Sequence, residues 1–388
     1  MGKRRRIAVV IPKYGLVGGA EGFAAALTEQ LAGDPSLEIH VFANRHGQGK
    51  EETIRFHHVP IIVFPRFLKT ASFAYFAQRA IARLGVDVIH AHDRMFHPHL
   101  YTMHGLPHRV WVKEVRKKGH PSLFDRNTAW VEERMVVGGT CRYFLAVSSL
   151  TRDIFLREYL VDPARVPVVH PGVDPAAVTG KGGDEVRLGV RRRYGLPADG
   201  PLIVFAAMNF DIKGLAELLA GLGRLKARRP DQPFHLLVVG GDNRRKYEEE
   251  ARRAGIGDQV AFAGAVSREE LAGIYAAGDL YAMLSKFDTF GLVVLEAMAK
   301  GLPVVISGTV GARDVVREGV NGFVIDNPQD ADKVAGVLFQ ALREELRPAL
   351  GKAALATARE HTWEKTAARV GAIYDMILSS TASAAAPK

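Results

Sequence analysis

A chain of 388 residues is long enough for two domains of ordinary size, and 47% hydrophobic with 24% charged residues fits a globular protein. No apolar run approaches the ~18 residues that span a bilayer, and the single cysteine, Cys141, excludes an internal disulfide. The net charge of +10 is uneven: residues 1–175 hold 24 Lys and Arg against 16 Asp and Glu, the remainder 28 against 26, so phosphate-bearing partners are expected at the first half.

Lys3 to Arg6 precede only five apolar residues, Ile7 to Ile11, before Pro12. That run is too short for a signal-peptide core, which predicts a cytoplasmic protein. It reads instead as a first strand buried on both faces. The loop Pro12 to Gly22 then carries the Gly18-Gly19 pair and leads into an Ala-rich helix from about Ala20 to Ala32. Strand, glycine loop and helix form a Rossmann-like opening in which paired glycines let backbone approach a ligand, although the spacing is not G-x-G-x-x-G. A plain tight turn is the other reading of these glycines.

Strands are predicted at Ile39 to Ala43 and Val86 to Ala91, with a helix around Ala71 to Leu84 between them. Six histidines follow: His90, His92, His97, His99, His104 and His108. Imidazoles two apart on a strand share a face, as metal ligands do. No cysteine joins them, however, and the nearby acids lack a ligand spacing, so no metal is expected. His90 and His92 should instead line the carboxyl end of a strand, the ligand edge of such sheets. His104 is open between a sugar contact and a hydrogen-bonded structural histidine.

From Leu106 to Arg126 the basic Arg109, Lys113, Arg116, Lys117 and Lys118 alternate with Val110, Trp111 and Val112. Such a stretch suits an anionic membrane surface or an acceptor glycan; a solvated charged helix face is the alternative. No nucleic-acid partner is expected, because the basic residues form no reading motif. Tyr143 to Ser149 and Val168 to Asp174 read as the last strand and exit of a first domain, and Gly180 to Asp184 as the linker.

The second half opens with a basic helix, Arg187 to Tyr194, and a buried strand, Leu202 to Met208, followed by Lys213-Gly214. Strands at His235 to Gly241 and Val260 to Val266 precede the densest motif, Asp288 to Val305. There, seven residues separate Asp288 from Glu296. Phe290, Gly291 and Leu292 begin a short apolar helix that Gly301 and Pro303 close. A helix starting near Phe290 turns its unpaired N–H groups and positive dipole end towards any anion before it. Asp288 precedes that end, and Glu296 sits about a turn and a half in. Phosphates at the helix start and carboxylates for hydroxyls suit a nucleotide sugar. A final helix is predicted from Trp363 to Leu378, then a disordered tail at 379–388.

The Asp288 to Val305 stretch, with Gly308 to Asp314 and Gly319 to Asp326 after it, resembles the signature of the retaining glycosyltransferases of family 4. The opening loop and basic segment are similar, more weakly, to the lipopolysaccharide core glucosyltransferase subset. The resemblance implies an α/β GT-B fold, two Rossmann-like domains facing across a cleft: residues 1–178 for the acceptor and 179–362 for the donor. The helix at 363–378 would cross back to the first domain.

It also implies a metal-independent hexosyltransferase that uses a nucleotide diphosphate sugar, first UDP-glucose or a related UDP-hexose, and needs no cofactor. The acceptor would be lipid-linked or lipopolysaccharide core, at the inner membrane face. Asp288 and His104 would contact the sugar and Glu296 the ribose. Lys213, Gly18, Gly19 and the helix start at Phe290, Gly291 and Leu292 would meet the diphosphate, and backbone near Val266 the base. Two departures stand out. Asp288 is where the family usually has Glu, and Ala207 and Ile212 occupy positions where many members have an arginine, leaving Lys286 or Arg313 to compensate. An epimerase or phosphorylase of the same fold and a non-catalytic basic membrane binder are the alternatives.

Overall fold

The computed structural model describes residues 4–16, 18–47, 52–117, 119–177, 180 and 182–385. The chain divides into two compact units, with boundaries between Pro171 and Gly172 and between Thr362 and Trp363.

The first unit is built on six parallel strands: β1 (Arg5–Val10), β2 (Leu37–Ala43), β3 (Ile54–His58), β4 (Val88–Ala91), β5 (Leu100–Met103) and β6 (Tyr143–Ala146). They lie in the order β3-β2-β1-β4-β5-β6. Chain direction reverses its lateral progress between β1 and β4, so the loops at the carboxyl ends of those two strands diverge and leave a crevice. Ile7 to Val10 are wholly buried because helices cover both faces of the sheet. These include α1 (Gly19–Leu31), α2 (Lys69–Ala82), α3 (Leu123–Val137) and α4 (Ser149–Glu158). Two strands, β3 and β5, and the helix α3 have no counterpart in the sequence reading. The edge strand β3 is short and half polar, IRFHH, so it lacks the apolar run that marks a central strand.

The C-terminal helix, Trp363–Ala385, belongs to this first unit. Phe23 of α1 packs edge-on against Trp363 with centroids 5.1 Å apart, and Arg369 Nη2 donates to the Val168 carbonyl at 2.8 Å. The helix continues through Ser379 to Ala385, where a disordered tail was expected. Ser379 and Ser380 hydroxyls bond back to the carbonyls of Met376 and Ile377, and the alanines beyond them favour helix.

The second unit repeats the plan. Its strands are β7 (Leu202–Ala206), β8 (His235–Val239), β9 (Val260–Gly264), β10 (Leu280–Met283), β11 (Val304–Ser307) and β12 (Gly322–Ile325). All are parallel, in the order β9-β8-β7-β10-β11-β12. The switch point now lies between β7 and β10. Helix α5 (Asp184–Arg193) opens the unit three residues before the expected start, because Asp184 and Glu185 favour its positive end. Of the expected linker at Gly180 to Asp184, Lys181 lies outside the described residues, and Gly180 and Gly182 are instead bonded to this unit. Gly180 and Gly182 donate backbone N–H groups to the carbonyls of Ala299 and Ala276 at 3.2 and 3.0 Å.

Candidate active site

Two helices of the second unit start at the switch point, and both start in the same way. Helix α6 (Leu215–Arg228) follows β7 through the loop Asn209 to Gly214, and α9 (Leu292–Ala299) follows β10 through Ser285 to Gly291. Gly214 and Gly291 are their N-caps, both left-handed with φ of 77° and 88°, and neither helix has a side-chain cap. A glycine supplies the turn without a Cβ, but it brings no side chain to satisfy the first-turn N–H groups. Helix α9 therefore begins at Leu292, two residues after the expected start, because the left-handed Gly291 cannot be a helical residue. At Gly214 a Cβ would lie 1.9 Å from the Leu284 carbonyl oxygen, so the two loops run in direct contact.

That contact is reinforced by hydrogen bonds. The Lys286 N–H donates to the Ile212 carbonyl at 2.8 Å, and Ser285 Oγ donates to the same carbonyl at 3.0 Å. Thr309 Oγ1 and Ser307 Oγ both donate to the Ser285 carbonyl, at 2.6 and 2.5 Å. The result holds Lys213 and Asp288 side by side: Lys213 Nζ donates to Asp288 Oδ2, and the other oxygen, Oδ1, accepts from the Phe290 N–H at 3.3 Å. Neither partner of the pair is fully buried. Lysine and carboxylate, read separately in sequence, thus meet at one point between two uncapped helix starts.

Glu296 lies on α9 a turn beyond that point and is open to solvent, yet desolvation by surrounding protein raises its pKa, opposed by Arg268. Val266 follows β9 at the same carboxyl edge of the sheet, after α7 (Arg244–Arg253) and just before α8 (Arg268–Ala277). Of the two cations expected to compensate for the arginine, Lys286 is adjacent to the Lys213 loop and paired with Asp211 at 2.9 Å. Arg313 donates to the Gly308 carbonyl at 3.0 Å.

In the first unit the opening glycines and the histidines come together. Gly18 has a positive φ of 153°, and Gly19 begins α1. The carboxylate of Glu21 folds over Gly18, within 2.8 Å of where a Cβ would be. One turn on, the Phe23 ring sits edge-on to His104 at 4.8 Å. His104 is half-buried and bonded to His92, His92 Nδ1 to His104 Nε2, at 2.9 Å. His90 lies beneath, its ring centroid 4.2 Å from that of His92. Its two nitrogens meet Tyr374 Oη at 2.8 Å and Thr102 Oγ1 at 2.7 Å. Burial lowers the His90 and His104 pKa values to about 3 each, and that of His92 well below the ordinary range, so all three rings are neutral at pH 7. Sequence reasoning put His90 and His92 at a strand end and left His104 open between a sugar contact and a structural histidine; it had no signal that His92 and His104 would be partners.

The basic segment is arranged differently from the amphipathic surface expected of it. His108–Val110 runs into a π-helical turn, Trp111–Val115, whose Val110 and Val112 are buried and whose Trp111 is half-buried. Val110 and Val112 face the core, while Arg109, Lys113, Glu114, Arg116 and Lys117 are exposed; Lys118 lies outside the described residues. Arg109 pairs with Glu133 at 2.7 Å. Arg116 donates to buried Asp125 at 3.1 Å; Ser122 Oγ caps α3 by accepting from the Asp125 N–H, and the Asp125 carboxylate, held at a pKa of about 2, accepts in return from the Ser122 N–H and hydroxyl. Desolvation opposes that lowering; the Ser122 bonds, His108 and Arg116 outweigh it. Buried Glu132 anchors the segment's start, accepting from the His108 N–H and Tyr159 Oη, both at 2.8 Å, and from Arg94 Nε at 2.7 Å. Of the segment's own apolar residues Leu123 is 64% exposed, and outside the segment Phe64 is 87% exposed. Arg66 lies over the Phe124 ring at 5.2 Å and so links their neighbourhoods.

The profile of the glycosyl transferases group 1 family matches residues 189–357, and that of Glycosyltransferase Family 4 matches residues 17–177. A D-inositol 3-phosphate glycosyltransferase of Nocardioides sp. is 30% identical over 74% of this chain and 67% of its own length. The chain belongs to the group 1 glycosyltransferases. The corresponding Stackebrandtia nassauensis protein is 32% identical over 72% of this chain and 66% of its own. Mannosylfructose-phosphate synthase of Agrobacterium fabrum is 26% identical over 64% and 56%. The chain spans about half to two thirds of the length of the curated relatives it matches.

Among solved structures, WaaG, a glycosyltransferase involved in lipopolysaccharide biosynthesis, superposes with a TM-score of 0.78 at 22% identity, covering 96% of this chain and 99% of WaaG. Anabaena HepE, solved with UDP and glucose, gives 0.73 at 18% over 96% and 100%. These likenesses establish the GT-B fold for this glycosyltransferase. No helix among the described residues is long and apolar enough to cross a membrane.

Proposed function

We propose that this group 1 glycosyltransferase moves a hexose from a nucleotide diphosphate sugar to an acceptor hydroxyl with retention at the anomeric carbon. The observation that carries this reading is the Lys213–Asp288 pair between the glycine-capped starts of α6 and α9. Departure of a nucleoside diphosphate develops negative charge, and the groups that stabilise it must already be in place. Lys213 and the two helix starts supply fixed positive ends there, with Lys286 of the adjoining loop, paired with Asp211 at 2.9 Å, as the second cation. On ligand entry Lys213 exchanges Asp288 for phosphate oxygens, which frees the Asp288 carboxylate to accept from sugar hydroxyls. Glu296 holds the ribose, backbone around Val266 the base, and Gly18, Gly19 and His104 of the first unit the sugar and its phosphate.

A divalent ion has no part in this scheme, because protein cations neutralise the leaving group. Retention follows from front-face attack by the acceptor itself. UDP-glucose or a related UDP-hexose is the donor we favour, consistent with the ligands solved in the HepE structures.

For the acceptor we favour a lipid-linked or lipopolysaccharide core glycan met at an anionic membrane face, in keeping with the exposure of Lys113, Arg116 and Lys117 and of the apolar Phe64 and Leu123 in the same unit. A soluble phosphorylated polyol is the second reading, favoured by the names of the curated relatives. Both acceptors carry phosphate, and the basic excess of the first half suits either. The test is transfer in EDTA from UDP-glucose to each acceptor class, with the anomeric configuration of the product read by NMR. A retained configuration without added metal supports the scheme; an inverted product or an absolute need for a divalent ion sinks it.

A further inference from the structure

The His92–His104 bond has a direction, and the direction decides what His104 offers a ligand. Two neutral imidazoles joined through one nitrogen each must divide the roles: one N–H donates and the other nitrogen accepts. His92 is 4% exposed, and its other nitrogen, Nε2, is buried with no hydrogen-bond partner among the described residues. If His104 donated, His92 would carry its proton on Nε2 and leave a buried N–H unpaired. If His92 donates from Nδ1, its Nε2 is left as a bare acceptor. Orphaned buried N–H groups are the rarer and costlier of the two, so the second arrangement is favoured. His104 Nε2 then accepts, and the His104 proton resides on Nδ1.

We propose that His92 is a positioning residue that holds His104 in the Nδ1–H tautomer, so that His104 presents a hydrogen-bond donor to the substrate's sugar oxygen. The proposal rests on the reading of His104 as a sugar contact. Surrounding contacts hold the geometry. The His92 and His104 rings lie within 15° of parallel with centroids 5.2 Å apart, so the bond cannot swivel without disturbing both. Phe23 packs edge-on to His104 at 4.8 Å on α1. His90, both of whose nitrogens are taken by Tyr374 and Thr102, packs against His92 and offers it no competing partner. His104 Nδ1 has no bond among the described residues, and the half-buried ring leaves it for a ligand.

The consequence is selective. A fixed Nδ1–H serves an oxygen that accepts, such as a sugar hydroxyl using its lone pair or a phosphate oxygen. It rejects a donor analogue whose corresponding position is a hydrogen or a methylene, because the N–H would then be desolvated without a partner.

The experiment uses the full chain with histidine labelled by 15N. Long-range proton–nitrogen correlation at pH 7.5 is expected to show His104 protonated on Nδ1. In His92→Phe the bond is lost and His104 should move to an Nε2–H mixture, with kcat/KM falling roughly tenfold. His92→Asn places an amide N–H where His92 Nδ1 was and should restore both the tautomer and the rate. Wild-type His104 protonated on Nε2 overturns the proposal without any variant having to fold. So does a tautomer unmoved by His92→Phe, or equal loss in His92→Phe and His92→Asn. His104→Ala separates the two readings: full activity there, while in the chains that keep His104 its tautomer follows the residue at position 92, would overturn His104 as a sugar contact and leave the bond's direction standing.

Discussion

The two units have the same strand order and the same switch point, yet they furnish it in opposite ways. In the second, the loops after β7 and β10 end in left-handed glycines that leave helix starts uncapped and set a lysine against a carboxylate. In the first, β4 and the carboxyl ends of β4 and β5 bring in three neutral histidines, packed against Phe23 of α1 and Tyr374. One edge is built of fixed charge and backbone dipoles, the other of uncharged hydrogen-bonding rings. A diphosphate needs the former; an oxygen of a sugar close to the reacting centre is served by the latter. The fold supplies two equivalent crevices and the loop chemistry makes them unequal.

Substitution at the charged edge tests this inequality most severely. Lys213→Ala should lower kcat by about 10² to 10³, the range seen when one preorganised stabiliser of developing charge is removed, while circular dichroism remains unchanged. A loss under tenfold would mean that Lys213 is an ordinary surface cation. Gly214→Ala asks whether the loop contact needs glycine. With a left-handed φ and a Cβ 1.9 Å from the Leu284 carbonyl oxygen, it should destabilise the second unit by about 2 to 4 kcal/mol in urea unfolding.

Acid distinguishes the two units by stability. Buried His90 and His92 have lowered pKa values, so below the ordinary histidine value of 6.5 the unfolded chain binds protons that the folded unit does not. Their contribution is present above pH 6.5 and is lost as the pH falls towards the folded values. Each ring costs about 1.4 kcal/mol of stability per pH unit over that window. Between pH 6.5 and 5 the first unit's melting transition should fall more steeply than in His90→Gln. An equal slope would show that protons are taken up elsewhere. The smallest effect is expected on the outer surface. Neutralising Lys113 and Lys117 should weaken binding to anionic vesicles by about 1 kcal/mol per residue and leave donor affinity unchanged. Vesicle binding that persists would transfer the contact to Phe64 and Leu123.

Much of this contrast was legible in the residues. The glycine-closed apolar run after Asp288 identified α9, and uninterrupted apolar strands such as Ile7 to Ile11 and Leu202 to Ala206 marked a parallel sheet covered on both faces. Local pattern could not show which residues meet. Lys213 and Asp288 are 75 positions apart and joined only because β7 and β10 are neighbours across the switch point. His92 and His104 end adjacent strands, one of which, β5, was hidden in a histidine-rich segment without a strand signature. The basic segment misled for a related reason. Its alternation of cations and apolar residues is that of a surface helix, but Glu132 and Asp125, from a helix the pattern did not reveal, turn the apolar side inward. Buried acids in α3 were the missing signal, and Ser122 followed three residues later by Asp125 was its trace in the sequence.

The most direct test of the charged edge as the donor site is calorimetric titration of UDP-, GDP-, ADP- and dTDP-sugars in EDTA, on the wild type and on Lys213→Ala. The account predicts that one of them, first UDP-glucose, binds without metal and loses at least tenfold in affinity when Lys213 is removed. Binding that demands a divalent ion, binding indifferent to Lys213, or no binding of any nucleotide sugar would contradict it.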